Sequence, residues 1–314
     1  MHACARSASA CTRGREMASP ASSWSSSVHR RAERGVALVA AVAALAVLTV
    51  LATGLATTSV LDQHLARNAL AALQADALAR SGVAAAAVVL GERSPAEPDA
   101  LSARWDSGRQ PLGAGWVEVR VEDEARRLDL NELADAVPAL FRVLVLDDRL
   151  LDALADWTDG DDSPRPAGAE RDWYLGQTPP YLPPNAPLGS VGELVGVRGF
   201  DAALVERLRP FVTVAGETAI NPNTAPREVL LAVVGDVTTV ERLLTARAAG
   251  PIAEEDLNHL FADRPAIRQR LTLRGQHYTL RALAGVGEVR RAIEATLDAP
   301  LDRIVAWRQL TPGG

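Results

Sequence analysis

Apolar residues form one uninterrupted block near the start of the chain. No residue from Val36 to Leu61 carries a charge. About 20 apolar residues are enough for a helix to cross a bilayer, whereas the apolar part of a secretory signal has only about 7–15. The pattern therefore predicts a transmembrane helix over residues 36–61.

Charges differ between the two ends of this block. Arg30, Arg31 and Arg34 precede it, and Asp62 opens a region of mixed charge after it. Basic residues favour the cytoplasmic side of a membrane. We therefore expect a single-pass topology with a cytoplasmic N-terminus and the body of the chain across the membrane.

The pattern becomes amphipathic after the block. Leu65, Ala69, Leu73 and Ala77 recur at helical spacing with polar residues between them. No proline interrupts the chain between Val36 and Leu90. One helix of about 55 residues is expected, and its second part, residues 62–91, would pack on a domain as an amphipathic stem.

Alternating patterns predict strands in two separate regions. Residues 91–115 are rich in Gly, Ser and Pro and read as a loop, whereas Trp116–Val121 alternates as a strand does, and Leu128–Leu130 is expected to continue the same sheet. Alternation returns near the C-terminus, between residues 276 and 308, although residues 289–297 could also form a helix.

The region between these strands has helical periodicity. We predict one helix from Pro138 to Trp157, shorter ones over 191–197 and 201–208, and another with Thr224 as its N-cap. The expected class is α+β, with a first part of the sheet in 92–130, an inserted α-helical domain in 131–266, and the C-terminal part of the sheet in 267–314.

Composition limits the possible functions. The 314 residues carry a formal charge of −6, but residues 1–35 contain six Arg and two acidic residues, so residues 36–314 have a net charge of −10. An acidic body argues against general nucleic-acid binding. Cys4 and Cys11, the two cysteines, both lie in residues 1–35, so the remainder has neither a disulfide nor a cysteine metal site.

Acidic residues are densest just after the helix predicted to end at Trp157. The candidate ligands lie on a loop rich in Gly and Pro and suit a hard cation with oxygen ligands: Asp159, Asp161, Asp162, Glu170 and Asp172. Gly160 is expected to let Asp159 and Asp161 converge, but the twelve-residue EF-hand spacing is missing. From residue types alone, a calcium site and a solvated acidic loop both remain open.

The boundary between the basic and apolar segments resembles the processing site of type IV pilins and pseudopilins. Gly35 directly precedes the apolar Val36, as at a prepilin peptidase site. Most pilin-like proteins have Glu at the fifth mature position, where this chain has Ala40. An apolar fifth residue is typical of the pseudopilin K family of type II secretion.

Two further segments resemble the same family. They are DWTDGDDSPRPAGAERDWYLGQTPPYLPPNAPLGSVGELVGVRGFDAALVERLRPFVTV and INPNTAPREVLLAV. The resemblance implies a pilin-like N-terminal helix packed on a small β-sheet, with a large α-helical domain inserted between strands. It also implies an inner-membrane precursor with a leader of residues 1–35, cut between Gly35 and Val36 by prepilin peptidase and methylated on Val36.

The resemblance implies a function as well. Members of this family are minor pseudopilins that cap the tip of the periplasmic pseudopilus with pseudopilins I and J, work with the inner-membrane secretion assembly, and support the export of folded proteins. They bind calcium in the helical domain, which favours calcium over a solvated loop at the acidic cluster.

Two other function classes compete with this interpretation. The segment from Ile220 to Gly235 resembles the helix-hairpin-helix of competence-type DNA-binding proteins, but Asp236 follows it and the second hairpin Gly is missing. An enzyme is disfavoured, because the sequence contains no Gly-x-Ser-x-Gly, no P-loop and no His pair at metal spacing.

Overall fold

The computed structural model describes residues 26–91, 105–301 and 303–311, with side chains from residue 36 onward. Residues 1–25 of the predicted leader, including Cys4 and Cys11, lie outside the described residues. The chain divides into two compact units, Met1–Arg67 and Asn68–Gly314.

The first unit contains the N-terminal part of helix α1, which runs over Ser26–Gly91. Between Val36 and Gly91 it includes a window of mean hydropathy 2.6 that is not buried, so by length and composition it can cross a membrane. The threonines in this part donate their hydroxyl hydrogens to preceding carbonyls, as Thr49 does to Leu45 O at 2.7 Å. Such bonds satisfy polar groups within the helix itself.

The described part of the second unit contains the strands β1 (Trp105–Asp106), β2 (Gln110–Leu112), β3 (Gly115–Asp123), β4 (Leu128–Asp129), β5 (Val212–Thr213), β6 (His277–Val286), β7 (Val289–Asp298) and β8 (Arg303–Leu310). Six of them form an antiparallel sheet in the order β1-β3-β6-β7-β8, with β2 also paired to β3. A separate parallel pair is formed by β4 and β5. For residues 289–297 the sequence left a strand and a helix open, and the structure has the strand β7 there.

One face of the large sheet packs against the C-terminal part of α1. Ala79, Val83 and Leu90 of the helix contribute to a core with the alternating apolar residues of β3, β6 and β7. Gly82 lets the helix approach closely, because a Cβ there would lie 2.7 Å from Val117 Cγ2. The alternation seen in Trp116–Val121 therefore separates a helix-facing row from an outward-facing row, as predicted.

The predicted loop over residues 91–115 is only partly correct. Residues 92–104 lie outside the described residues, but β1 and β2 pair with β3 along one edge. Gly108 and Gly113 connect these strands in left-handed conformations, with φ of 60° and 57°. Strands of two and three residues are too short to leave an alternating pattern, so the turn residues dominated the prediction.

The remaining helices lie between β3 and β6 in the chain and share one large apolar core. This gives the α+β architecture that the sequence predicts, with helices inserted between strands. The helices are α2 (Val137–Val143), α3 (Arg149–Thr158), α4 (Arg171–Leu175), α5 (Ala202–Leu208), α6 (Arg227–Val234), α7 (Val237–Ala249), α8 (Glu254–Leu260) and α9 (Pro265–Arg268).

The single helix predicted from Pro138 to Trp157 is wrong, because the structure has α2 and α3 there. Val145 adopts a left-handed φ of 54°. Leu146 N donates to Phe141 O at 2.9 Å and Val145 N to Arg142 O at 3.2 Å, which is the Schellman pattern that ends helices. Glycine normally occupies this position, so a valine gave no signal in the sequence.

Leu128–Leu130 does not continue the large sheet, contrary to the prediction. A short 3-10 helix over Glu124–Arg126 turns the chain away after β3. Leu128 N and Leu130 N then donate to Phe211 O and Thr213 O at 2.8 and 2.9 Å. The segment therefore forms the parallel pair with β5.

Thr224 is not the N-cap of a helix, because α6 begins at Arg227 with Pro226 in the cap position. The Thr224 hydroxyl instead donates to Asp123 Oδ2 at 2.7 Å. Asn221 Nδ2 donates to the same oxygen at 2.8 Å. Asp123 is buried at the end of β3, so its carboxylate joins the sheet to the helical region.

Candidate metal centre

The candidate centre is built on the C-terminal half of α3. Asp152 and Asp156 are four residues apart and lie on the same face of the helix. Ala167 N donates to Asp152 Oδ2 at 3.0 Å, and Arg165 N donates to Asp156 Oδ2 at 3.1 Å. These bonds fold the returning loop, residues 160–169, back onto α3.

Gly168 makes this close approach possible. A Cβ at this position would lie 1.9 Å from Asp156 Oδ2, a distance that no side chain could tolerate. The carbonyl of Gly168 accepts a hydrogen bond from Arg198 Nη1 at 2.7 Å. Asp156, Gly168 and Arg198 were not among the predicted site residues, although the i, i+4 spacing of Asp152 and Asp156 was a signal for their shared role.

Three of the five predicted ligands come together. Asp159 is the C-cap of α3 and Glu170 is the N-cap of α4. Asp161 lies in the loop between them, and one carboxylate oxygen from each of the three residues lies within 4.8 Å of the others. The ends of two helices and a short loop therefore place three carboxylates around one point.

Glu170 is the most unusual member of this group. Its side chain is 5% exposed. Neither of its carboxylate oxygens, nor Asp159 Oδ1, has a hydrogen-bond partner among the described residues. Buried carboxylates are costly unless they are paired or bind a cation, so these three oxygens are suited to bind a cation.

The pKa of Glu170 leads to the same conclusion. Burial, together with the nearby carboxylates of Asp156, Asp159, Asp162 and Asp161, raises the pKa of Glu170 to about 6. A raised pKa shows that the negative form of Glu170 is disfavoured where it stands. A divalent cation with oxygen ligands would relieve both burial and repulsion.

Asp162 and Asp172 lie outside the group of three. Asp162 is exposed and its Oδ1 accepts a hydrogen bond from Asn185 Nδ2 at 3.3 Å. Asp172 is exposed in the first turn of α4. Gly160 has open space around its Cβ position and no left-handed φ, so the convergence of Asp159 and Asp161 does not require a glycine there.

Two polar side chains that the sequence analysis missed border the group. Arg165 Nη1 donates to Asp156 Oδ1 at 2.6 Å and to Asp159 Oδ2 at 2.5 Å. Asn185 Nδ2 donates to Asp161 O at 2.9 Å, and its Oδ1 is buried with no hydrogen-bond partner in the described part of the chain. A lone Arg and a lone Asn in Pro-rich segments carry no motif that would have identified them.

Aromatic side chains hold the two helices that carry the ligands. The Trp157 ring meets the Tyr174 ring edge-on at 5.2 Å, and Trp173 does so at 4.8 Å. Trp157 Nε1 donates to Glu193 Oε1 at 3.1 Å. Burial raises the pKa of Tyr174 to about 12, and this packed cluster fixes α3 against α4.

Comparison with known proteins identifies close similarities. Residues 121–217 match the family model described as type II secretion system (T2SS), protein K. Type II secretion system protein K of Pseudomonas aeruginosa is 32% identical over 72% of this chain and 76% of its own length. The protein of the same name from Aeromonas hydrophila is 27% identical over 90% of this chain and 98% of its own length.

A solved structure shares the fold. The match is to a chain in the crystal structure of the GspK-GspI-GspJ complex of the enterotoxigenic Escherichia coli type 2 secretion system. The TM-score is 0.56 at 18% identity, covering 81% of this chain and 99% of that one.

Proposed function

We propose that this chain, which belongs to the type II secretion system protein K family, caps the pseudopilus tip together with pseudopilins I and J. In this role it supports the export of folded proteins. It is a minor pseudopilin, and this family is a structural component of the secretion system not known as an enzyme. One observation carries the proposal: an exposed apolar helix continues into a stem that packs on an antiparallel sheet with a helical region inserted between β3 and β6.

The partners follow from the fold match. The solved chain with the same fold is part of a complex with GspI and GspJ. This supports the corresponding I and J pseudopilins as partners of this chain. The inner-membrane secretion assembly is the further partner in this proposal.

Co-purification tests the tip complex. The full chain, extracted in mild detergent with calcium present, is expected to retain tagged I- and J-type pseudopilins of the same secretion system. A tagged major pseudopilin serves as the specificity control. Failure to retain I and J in calcium-replete detergent would contradict the proposed complex.

Processing and topology form the second part of the proposal. Gly35 and Val36 lie within α1, at the junction of the basic and apolar segments. We place the cut between them, with prepilin peptidase removing residues 1–35 and methylation following on Val36. The protein would then be a single-pass inner-membrane protein with its body in the periplasm.

The apolar Ala40 fits a tip subunit. A buried carboxylate in lipid is tolerated only when it is paired. In other pilin-like proteins the glutamate at this position can pair with the N-terminal amine of a neighbouring subunit. A subunit at the tip has no further subunit to neutralise, so an apolar residue costs nothing there.

A glycine pair tests the processing site. Gly35→Ala should leave the precursor uncut when it is co-expressed with its prepilin peptidase, as seen by gel migration and intact mass. Gly54→Ala is the matched control, because Gly54 lies in the same helix with open space around its Cβ position. Normal maturation of the Gly35 variant would contradict this site.

Calcium binding is the third part. The acidic group of Asp159, Asp161 and Glu170 fits a hard cation, because its oxygens converge and the buried Glu170 oxygens have no hydrogen-bond partner among the described residues. Calcium takes six to eight oxygens in flexible geometry. Asp162 and the Asn185 amide at the rim, together with water, are available to complete such a shell.

Matched aspartates test this site. Calcium should raise the thermal midpoint of the full chain in detergent, relative to the same sample with chelator. Asp161→Asn should remove most of that rise, whereas Asp172→Asn, which lies outside the group of three, should preserve it. An unchanged midpoint in the wild-type chain would contradict the calcium site.

The helix-hairpin-helix alternative is disfavoured by the turn between α6 and α7. Gly235 adopts a left-handed φ of 74°, but Asp236 caps α7, with Thr239 N donating to its Oδ2 at 2.8 Å. These bonds to Thr239 hold the pKa of Asp236 below its usual value. A carboxylate thus stands at the helix N-terminus where a DNA phosphate would have to bind.

A further inference from the structure

Arg165 occupies an unusual position beside the acidic group. It lies between Pro164 and Pro166, whose rings restrict the backbone on both sides. Its backbone N–H donates to Asp156 Oδ2 at 3.1 Å, and its Nη1 donates to Asp156 Oδ1 at 2.6 Å. Asp156 is fully buried, so it binds Arg165 through both backbone and side chain.

Arg165 also contacts one of the converging carboxylates. Its Nη1 lies 2.5 Å from Asp159 Oδ2. The other oxygen, Asp159 Oδ1, is buried and has no hydrogen-bond partner in the described segments. The guanidinium therefore holds one oxygen of Asp159 and leaves the other unpartnered.

The charge around this point is strongly unbalanced. Five carboxylates lie at or beside this point, the three converging ones and two neighbours: Asp159, Asp161, Glu170, Asp156 and Asp162. Within the part of the chain that the structure describes, Arg165 is the one cation that forms an ion pair with any of them. One positive charge thus offsets five negative ones before any metal arrives.

We propose that Arg165 is a built-in counter-ion of the calcium site, which stabilises the metal-free loop and at the same time lowers the affinity for calcium. This inference rests on the proposed calcium site. Arg165 reduces repulsion among the carboxylates when the metal is absent. When calcium binds, the same guanidinium repels it across Asp159, because both are cations within a few ångströms of one carboxylate.

Two substitutions separate charge from geometry. Arg165→Gln removes the charge but retains a hydrogen-bond donor, and Arg165→Lys retains the charge but loses the planar guanidinium. Arg149→Gln is the control for the loss of an arginine, because Arg149 lies at the start of α3 and pairs with the exposed Asp147.

Titration calorimetry with calcium chloride on the full chain in detergent gives the affinity. Urea unfolding with chelator, followed by tryptophan fluorescence, gives the metal-free stability. Arg165→Gln should bind calcium roughly tenfold more tightly and unfold at lower urea when metal-free. Arg165→Lys should bind with nearly wild-type affinity, and Arg149→Gln should change neither quantity.

The direction of the change in calcium affinity distinguishes a counter-ion role of Arg165 from a purely structural one. An arginine that only holds the loop in place would, when replaced, weaken calcium binding, and weaker or equal affinity in Arg165→Gln would overturn the inference. A wild-type chain that binds no calcium would refute the calcium site instead. In that case the urea midpoints of metal-free wild type and Arg165→Gln would test the counter-ion role alone, and equal midpoints would refute it.

Discussion

Two buried carboxylates close to each other in the chain have opposite environments. Asp156 accepts hydrogen bonds from Arg165 through backbone and side chain, and Gly168 packs against it. Glu170 is also buried, but its oxygens have no hydrogen-bond partner among the described residues. The first arrangement fixes a loop, whereas the second keeps ligand capacity available, so hydrogen bonding separates the two roles at the scale of single residues.

The contact of Gly168 with Asp156 predicts a steric effect. Gly168→Ala would place a Cβ 1.9 Å from Asp156 Oδ2, so the loop or the carboxylate must move. We expect a loss of about 1–3 kcal/mol in the free energy of unfolding, measured by urea unfolding. Gly160→Ala, at a position with open space, should change it by less than about 0.5 kcal/mol, and equal losses in both variants would contradict this explanation.

The pair of Glu217 and His277 predicts a pH dependence. His277 Nδ1 lies 3.3 Å from Glu217 Oε1, and this contact with Glu217 raises the pKa of His277 above its usual 6.5. Asp298 and Glu124 raise it further, although burial opposes them. The charged imidazole therefore stabilises the folded chain below pH 6.5, and this contribution is lost as the pH rises through the raised pKa.

Replacing His277 tests the direction of this pH dependence. The difference in unfolding free energy between wild type and His277→Gln should be largest near pH 5.5 and shrink as the pH rises to 8.5. His259→Gln, at an exposed position of α8, should show no such trend. A difference that grows with pH would mean that His277 is held neutral by its surroundings.

At the scale of elements, polar side chains join the sheet to the helical region. Strand β3 ends at Asp123, which binds Asn221 and Thr224. The next residue, Glu124, accepts hydrogen bonds from Thr213 of β5 and Thr279 of β6, both at 2.6 Å. Two adjacent buried carboxylates therefore connect the end of β3 to three other segments, although the apolar cores on the two sides are distinct.

A threonine pair tests this connection. Thr224→Val removes one hydrogen bond to the buried carboxylate of Asp123 while keeping the shape of the side chain. We expect a loss of about 1–3 kcal/mol in the free energy of unfolding, because a buried acceptor loses a donor. Thr238→Val, at an exposed position of α7, should have little effect in the same urea experiment, and a neutral Thr224 variant would contradict the connection.

The elements that the sequence predicts correctly are those with a local signal. The amphipathic pattern of α1 and the alternation in β3 and β6 are properties of neighbouring residues, and the structure has these elements. Two errors occurred where distant residues decide, because Leu128 pairs with β5 and Thr224 binds Asp123, about 100 positions away in the chain. The end of α2 is local, but Val145 stands where a glycine would have marked it.

The same division holds for the candidate site. Residue types and a dense local sequence indicate Asp159, Asp161 and Glu170, which the structure brings together. The spacing does not show that Asp172 faces away, because that depends on how α4 packs through Trp173 and Tyr174. Nor does it show Arg165 turning back onto Asp156, since this contact requires the loop to return to α3.

At the scale of the whole molecule, the chain combines an acidic body with one exposed apolar helix. Its first unit contains a long apolar stretch with a mean hydropathy of 2.6, whereas residues 36–314 together have a net charge of −10. The apolar surface of this stretch would be exposed to water only at a large hydrophobic cost. By length and composition the apolar stretch can therefore lie in lipid, whereas the charge of the body suits an aqueous environment.

Charged substitutions in α1 test this division. Leu48 and Leu51 lie near the middle of residues 36–61, and an arginine at each should cost about 5–7 kcal/mol of insertion free energy in total. Leu48→Arg with Leu51→Arg should release the chain into the soluble or aggregated fraction after alkaline carbonate extraction of membranes. The matched control is Gln74→Arg with Ala77→Arg, at exposed positions of the same helix within the second unit. That chain should stay with the membrane as wild type does, because its new charges lie outside the apolar stretch. Equal membrane retention of both double variants would mean that α1 is not the membrane anchor.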